Sequence, residues 1–214
     1  MIPIVSIVGK SDSGKTTLIE KLVPELVRRG YRVTTVKHDR HSFEIDKEGK
    51  DSWRHKQAGA QAVIISSPQK VAVIRDVDKD MSLEELRDAF GGDADIMLSE
   101  GFKKDVQRKI EVFRKEEHQE LLCTEEDNLI AIASNQPFDI GVPCLDIDDF
   151  KGIVDLIEST FLKGNRKEGI SLKIAGRHIP LSAFLEKFLI RTIRAMVSSL
   201  KGGEKSQKIE IKID

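Results

Sequence analysis

Eight residues near the N-terminus have the types and the spacing of a phosphate-binding loop. They match the pattern G-x-x-x-x-G-K-[ST], and they are Gly9, Lys10, Ser11, Asp12, Ser13, Gly14, Lys15 and Thr16. The two glycines permit backbone conformations that a Cβ would block, so successive N–H groups can curl around a phosphate. Lys15 can then reach the β- and γ-phosphates of a nucleotide, and the Thr16 hydroxyl can bind Mg²⁺.

Such a loop must lie between a strand and a helix, and the sequence predicts both. Residues 4–8 form a short apolar, β-branched run, and apolar residues recur at helical spacing over 18–27. The N–H groups of the loop therefore lie at the positive end of the helix. Pro24 predicts a kink, because it removes one backbone hydrogen bond, and Gly30 predicts the end of the helix.

A magnesium site also needs a carboxylate at the carboxyl end of a neighbouring strand. Asp95 and Glu100 bracket one predicted strand, which spans roughly 16 Å. Only its tip faces the crevice above the loop, so the sequence favours Glu100 as metal ligand, with Gly101 allowing close approach to phosphate. The alternative for Glu100 is a glutamate in an exposed loop. Asp46 is the next candidate, as a ligand of the metal or of the attacking water.

Lys10 occupies the second position of the loop and gives the variant G-K-x-x-x-G-K-T. This variant resembles the signature-lysine branch of P-loop proteins, in which that lysine crosses a dimer interface to the bound phosphate. The alternative is a solvated lysine in an exposed loop. A cation near a transferring γ-phosphate stabilises its charge, so Lys10, Lys15 and Asp46 are the candidate catalytic residues.

Predicted strands and helices alternate along residues 1–163. Further strands are predicted over 31–36, 63–66, 71–75, 95–99, 109–114 and 129–133, with helices over 50–58, 83–90 and 153–161. This alternation is typical of an α/β fold with a doubly wound, mostly parallel sheet.

The composition changes after residue 163. The glycine-bounded, charged residues 164–169 predict a linker. Residues 170–214 predict a small α+β appendage with a hairpin, an amphipathic helix over 181–200 and a half-buried strand over 209–213. About 50 residues are marginal as an independent domain, so we expect this appendage to dock on the main domain or on a partner subunit.

Composition and charge exclude several classes of protein. The 214 residues are 39% hydrophobic and 33% charged, with a net charge of -1, so no global field draws the chain to nucleic acid or to an anionic membrane. No apolar run approaches the roughly 20 residues that span a bilayer. The N-terminus lacks the features of a secretory signal, and only Cys123 and Cys144 could form a disulfide. We therefore expect a cytoplasmic protein.

Three segments in this order resemble the molybdopterin-guanine dinucleotide biosynthesis protein B family (MobB). They are VGKSDSGKTTLIEKL, VKHDRHSFEIDKEGKDSWRHKQAGA and DIMLSEGFK, and the resemblance extends over residues 1 to about 163. It implies a P-loop α/β fold, GTP and Mg²⁺ as ligands, slow GTP hydrolysis and a homodimer. It also implies that the protein assists a partner nucleotidyltransferase that attaches GMP to molybdopterin, which is itself a candidate ligand.

The resemblance also implies roles for individual residues. Residues 9–17, which include Thr17, would bind phosphate, and Lys37, His38 and His41 would line the mouth of the site. A switch-like segment on the opposite wall would contain Asp46, Lys50, Asp51, Ser52 and Arg54. The residues that close the site would be Glu100, Gly101, Phe102 and Lys103. Lys37 follows the second strand into the same crevice, and Arg54 could bind a phosphate through both guanidinium arms.

No motif in the sequence predicts which residues would recognise a guanine base. The sequence contains no N-K-x-D string, so the preference for GTP over ATP depends on the resemblance alone. Asn135, at the end of a predicted central strand, is the candidate base contact. The segment after Gly164 lies outside the resemblance.

Two other functions use the same loop. A small-molecule kinase would use the 37–54 segment as its acceptor site, with Asp39, Asp46 or Asp51 as base. A nucleotide-driven dimer switch of the metallochaperone or partitioning type would use Lys10 across the interface. Slow hydrolysis is expected because no glutamine is placed as in fast GTPases, and only Arg54 could serve as an arginine finger in cis.

Overall fold

The structure of the chain is a computed structural model. It describes residues 1–39, 43, 45–162, 170, 172–174, 177–179 and 181–200. The chain divides into two compact units, Met1–Gly164 and Asn165–Asp214. The predicted linker over 164–169 and the predicted terminal strand over 209–213 lie outside the described residues.

The first unit is built on a six-stranded parallel sheet. Its strands have the spatial order β2-β5-β1-β6-β7-β8, and every neighbouring pair is parallel. This confirms the predicted α/β fold with a mostly parallel sheet. The elements of the unit are β1 (Ile4–Val8), α1 (Lys15–Arg28), β2 (Val33–Lys37), α2 (Asp51–Gln57), β3 (Ala62–Ser67), β4 (Lys70–Arg75), α3 (Leu83–Phe90), β5 (Ile96–Glu100), β6 (Arg108–Phe113), β7 (Leu129–Ser134), β8 (Cys144–Asp146) and α4 (Phe150–Ile157).

Strand β1 lies inside the sheet and is buried on both faces. Val5 and Ile7 point to one face, where they join a core cluster with residues of α1 and α4. Ile4 points to the other face and packs with Leu83 of α3. Successive side chains of a strand alternate between its two faces. A strand that is covered on both faces therefore requires apolar residues at successive positions.

Helix α1 continues through Pro24 to Arg28, so the proline does not end it. Leu18, Leu22 and Leu26 are buried beneath the helix, and this burial stabilises it despite one missing backbone hydrogen bond. The helix ends as predicted at Gly30, whose φ is +92°. The Gly30 N–H donates to the carbonyl of Val27, and the next N–H donates to that of Leu26, which is the Schellman arrangement that favours glycine.

Two more predictions about local structure are confirmed. Ser82 caps α3 in a reciprocal arrangement with Glu85, as the capping-box pattern predicts. Strands β3 and β4 pair as an antiparallel hairpin around Pro68 and Gln69, separate from the six-stranded sheet. The sequence did not predict β8, which has only three residues and carries too little periodicity to be recognised.

The second unit contains a hairpin and a helix in its described residues. Strands β9 (Leu172–Ile174) and β10 (Arg177–Ile179) pair antiparallel, and α5 covers Ala183–Ser198, as predicted. Ser182 caps α5 by accepting a hydrogen bond from the Leu185 N–H. No helix in the described parts of either unit is long and apolar enough to cross a membrane.

A buried hydroxyl pair links β1 to β5 and offers a test of the sheet. Ser99 donates to Ser6 over 2.8 Å, and neither side chain is exposed. We expect Ser99→Ala to lower the free energy of unfolding by about 1–2 kcal/mol, because Ser6 is left buried without this partner. The double variant Ser6→Ala/Ser99→Ala should be close to wild type in urea unfolding. A double variant that loses the sum of both single effects would contradict the pairing.

Candidate phosphate- and metal-binding site

The loop after β1 is packed too tightly for any residue but glycine at Gly9. A Cβ there would lie 2.5 Å from the carbonyl oxygen of Val112 on β6 and 2.6 Å from the Ser13 Oγ. Gly14 caps α1 with a φ of +94°, in the left-handed region that favours glycine. Both glycines of the motif are therefore required by geometry. They leave an open cradle at the positive end of α1.

Ser13 carries an unpaired polar group within the loop. Its side chain is fully buried, and its Oγ has no hydrogen-bond partner among the described residues. A buried hydroxyl without a partner costs free energy. A phosphate oxygen in the cradle would supply the missing acceptor, so the residues present fit a bound phosphate.

Lys15 lies at the same cradle. Its Nζ donates to the carbonyl of Lys10 over 2.6 Å. Burial lowers the pKa of the Lys15 ammonium below its ordinary value, Glu100 opposes this effect, and the charges of Lys103 and Lys37 reinforce it. Three lysine charges therefore converge here, and the carboxylates of Glu100 and Asp12 partly balance them. A bound polyanion would favour the charged form of Lys15.

Thr16 and Glu100 form the candidate metal site. The Thr16 hydroxyl donates to Glu100 Oε1 over 2.9 Å, and the Lys37 Nζ lies 3.9 Å from the same oxygen. Ligands at 2.0–2.1 Å from an octahedral Mg²⁺ lie about 2.9 Å apart when adjacent, so the two oxygens fit neighbouring positions around one ion. Strand register pairs Glu100 with Ile7 of β1. Asp95, at the other end of β5, accepts from the Arg32 backbone N–H.

A cavity of about 560 Å³ opens beside the loop. Its wall includes Gly9, Ser11, Lys15, His38, Asp80, Met81, Ser82, Glu100, Gly101, Phe102, Lys103, Lys104 and Asp105. His38 Nε2 lies 2.7 Å from an Asp80 carboxylate oxygen, and its ring lies 4.6 Å from that of Phe102. Gly101 and Phe102 both have positive φ, and a Cβ on Gly101 would lie 3.3 Å from the Cβ of His38. The residues that were predicted to close the site therefore all lie on one wall of this cavity: Glu100, Gly101, Phe102 and Lys103.

Other predicted residues lie away from this cavity wall. Asp46 accepts from the Ser52 hydroxyl over 2.8 Å and from the Lys47 N–H. Arg54 lies 4.0 Å from Asp51 on α2. Their roles in metal and phosphate binding stay predictions, as do those of Lys10, Asp12 and Thr17. His41 lies outside the described residues.

Two residues near the loop were missed by sequence reasoning. The Arg114 Nε lies 3.1 Å from the position that a Cβ on Gly14 would occupy, and the His118 Nε2 lies 2.8 Å from the carbonyl oxygen of Ser11. Both follow β6, and neither belongs to a motif. Both residues lie at the carboxyl end of a strand that neighbours β1, and such a position favours a site residue. The sequence does not give the strand order, so this position could not be recognised from it.

Comparison with known proteins settles the family. A family model described as molybdopterin guanine dinucleotide synthesis protein B matches residues 4–135. The chain belongs to the MobB family. The match includes the phosphate loop, Glu100 and Asn135.

Relatives and a solved structure agree with this assignment. The molybdopterin-guanine dinucleotide biosynthesis adapter protein of Haemophilus influenzae is 42% identical over 159 residues, which covers 74% of this chain and 89% of the relative. A relative from Methanocaldococcus jannaschii is 27% identical over 237 residues, covering 99% of this chain and 97% of its own length. A crystal structure of molybdopterin-guanine biosynthesis protein B matches with a TM-score of 0.60 and 34% identity, over 74% of this chain and 98% of that chain.

The unpartnered hydroxyl gives a test of the cradle in this MobB chain. We expect Ser13→Ala to raise the free energy of unfolding of the ligand-free protein by about 1 kcal/mol, because the variant buries no unpaired hydroxyl. Ser134→Ala is the control, since the Oγ of that buried serine accepts from the Gln136 N–H over 3.0 Å, and it should lose stability. Inorganic triphosphate should stabilise Ser13→Ala less than wild type. A Ser13→Ala variant as destabilised as Ser134→Ala would contradict the interpretation.

Proposed function

We propose that this MobB protein is a GTP-binding adapter in the synthesis of molybdopterin guanine dinucleotide. In this role it binds GTP with Mg²⁺ at residues 9–17 and assists a partner nucleotidyltransferase that attaches GMP to molybdopterin. The observation that carries the proposal is the unpartnered Ser13 hydroxyl in the glycine cradle. The hydrogen bond between Thr16 and Glu100 and the membership of the chain in this family support it. Free thiols at Cys123 and Cys144 suit the reducing cytoplasm in which we place this function.

Hydrolysis of the bound GTP is proposed to be slow. None of the residues that line the cavity is a glutamine, and fast GTPases use a glutamine to orient the attacking water. The site therefore supplies charge stabilisation through Lys15 and the metal ligands, but no such group for positioning water. Slow turnover is appropriate to an adapter, because GTP then remains bound while the partner engages.

Molybdopterin is proposed to occupy the outer part of the cavity. The rings of His38 and Phe102 provide an aromatic surface, which suits the flat pterin ring. Lys103 and Lys104 lie on the same wall and provide positive charge for the phosphate group of the ligand. A cavity of this volume is within the range of small-molecule sites.

A homodimer is also proposed, with the β3–β4 hairpin as the contact between the two copies. Ile64, Val71 and Val73 are exposed on this hairpin by 67%, 63% and 48%. Clustered apolar side chains on a two-stranded ribbon indicate an association surface. A second copy offers the same ribbon, so a symmetric contact covers both.

Nucleotide binding is tested by calorimetric titration of GTP and ATP, each with Mg²⁺. We expect GTP to bind more tightly than ATP, and Lys15→Ala to lose at least tenfold in GTP affinity, about 1.5–3 kcal/mol, because a charge-assisted phosphate contact is removed. Lys151→Ala, an exposed lysine on α4, is the matched control and should bind as wild type. Near-native affinity in Lys15→Ala would contradict the phosphate-loop assignment.

The adapter role is tested with the same variants. Addition of wild-type protein and GTP should increase the rate at which the nucleotidyltransferase attaches GMP to molybdopterin, and Lys15→Ala should not. GTP consumption that rises in proportion to an added small-molecule acceptor, with no effect on the partner, would instead indicate a kinase.

The dimer is tested by light scattering. We expect a mass of twice the 24.0 kDa chain, and we expect Val71→Asp to shift the protein towards the monomer, because a charge is then buried in the contact. Val106→Asp is the control, since Val106 is 72% exposed outside the hairpin. A wild-type protein that is monomeric at all concentrations would refute the proposed contact.

A further inference from the structure

A second group of polar side chains lies at the same edge of the sheet, on the other flank of the phosphate loop. Strand β6 neighbours β1 on the side opposite β5. Arg114 follows β6, and Asn135 follows β7, whose Ser134 pairs with Phe113 of β6. All of these strands are parallel, so their carboxyl ends open into one crevice.

A short network fixes one carboxylate in this group. The Asn135 Nδ2 donates to Glu116 Oε2 over 2.7 Å, and the Asn135 Oδ1 accepts from the Lys115 N–H over 3.0 Å. The Glu116 and Asn135 side chains are both exposed and hence accessible to a ligand. The amide of Asn135 thus holds the loop after β6 in place and orients the Glu116 carboxylate.

The same loop is tied to the phosphate cradle. The N–H groups of Glu117 and His118 both donate to the Arg114 carbonyl, which closes a turn. The His118 ring nitrogen lies 2.8 Å from the Ser11 carbonyl oxygen. The guanidinium of Arg114 lies beside Gly14 at the start of α1. Planar guanidinium groups stack on aromatic rings, so Arg114 provides a surface for a base.

The metal site determines which way a nucleotide runs along the loop. Thr16 and Glu100 would hold Mg²⁺ on the β5 flank, where it would neutralise charge on the β- and γ-phosphates. The α-phosphate and the nucleoside must therefore extend towards β6. This direction would bring the base to Arg114 and Glu116.

We propose that Glu116, positioned by Asn135, is the residue that distinguishes guanine from adenine, and that the base stacks on Arg114. This inference rests on the proposed binding of GTP. Guanine presents two adjacent donors, the N1–H and the 2-amino group, and one carboxylate can accept from both. Adenine presents an acceptor at N1, which a carboxylate repels. The Glu116–Asn135 pair would supply the selectivity that the absent N-K-x-D motif does not.

The charge state of Glu116 agrees with this role. Its own backbone N–H and the amide of Asn135 lower the pKa of the Glu116 carboxyl, and the positive charge of Arg114 adds to the effect. The group is therefore an ionised acceptor at neutral pH.

The experiment uses the full chain and calorimetric titration of Mg²⁺ complexes of GTP, ITP, XTP and ATP. ITP lacks the 2-amino group, so wild type should bind GTP about tenfold more tightly than ITP. In Glu116→Ala this ratio should fall to about one, and GTP should bind at least tenfold more weakly than to wild type. Glu117→Ala is the matched control, because it removes a neighbouring exposed carboxylate and should keep wild-type ratios.

Glu116→Gln provides a gain of function that a merely structural role would not produce. Its amide can donate to O2 of xanthine while its oxygen accepts from N1–H, so this variant should bind XTP at least tenfold more tightly than wild type does. It retains an oxygen for the Asn135 amide, so the loop after β6 should keep its conformation.

Failure of this inference can be distinguished from failure of the proposed function. A wild-type preference for GTP over ATP that persists in Glu116→Ala overturns this inference and leaves the proposed function intact. A wild type that binds ATP as well as GTP overturns both. Inorganic triphosphate with Mg²⁺ should bind Glu116→Ala and wild type equally, and a loss there would assign Glu116 to the phosphate site and overturn its role at the base.

Discussion

The parallel register of β1 between β5 and β6 is the constraint on which the rest of the structure depends. It brings three chain segments that are distant in sequence to one edge of the sheet: the glycine loop after Val8, the carboxylate of Glu100 and the turn that begins at Arg114. The carbonyl oxygen of Val112 would lie only 2.5 Å from a Cβ on Gly9, so the loop packs directly against β6. A shift of one residue in the β1–β5 pairing would turn Glu100 away from Thr16, because side chains alternate along a strand.

The site brings lysine and carboxylate charges close together and leaves one buried hydroxyl unpaired. The charges of Lys37 and Lys103 disfavour the charged form of Lys15, against those of Glu100 and Asp12, and Ser13 is buried without a partner among the described residues. Both features cost stability in the ligand-free protein. Local stability is lower at sites that have to complete their interactions with a ligand. The proposed adapter would regain this free energy when a metal–nucleotide complex binds.

Exposed apolar surfaces occur in both units. The β3–β4 hairpin presents Ile64 and Val71, and α5 in the second unit presents Phe184 and Phe188, whose rings lie 6.3 Å apart. The loop over residues 9–16, in contrast, consists of glycine and polar residues. In the proposed role these surfaces serve association, and the loop serves the nucleotide, so the two tasks are carried by different parts of the chain.

The sequence alone determined the elements whose signals are local. The glycine loop between β1 and α1, the capping box at Ser82 and the helix end at Gly30 depend on residue types at fixed spacing, so their local structure could be predicted, as could the α/β class from the alternation of strands and helices. The choice of Glu100 over Asp95 followed from strand length. Tertiary structure decided what no local pattern encodes: the strand order, the continuation of α1 through Pro24, and the contacts of Arg114 and Glu116. These depend on pairings between distant segments and on burial, which the sequence specifies only through the whole fold.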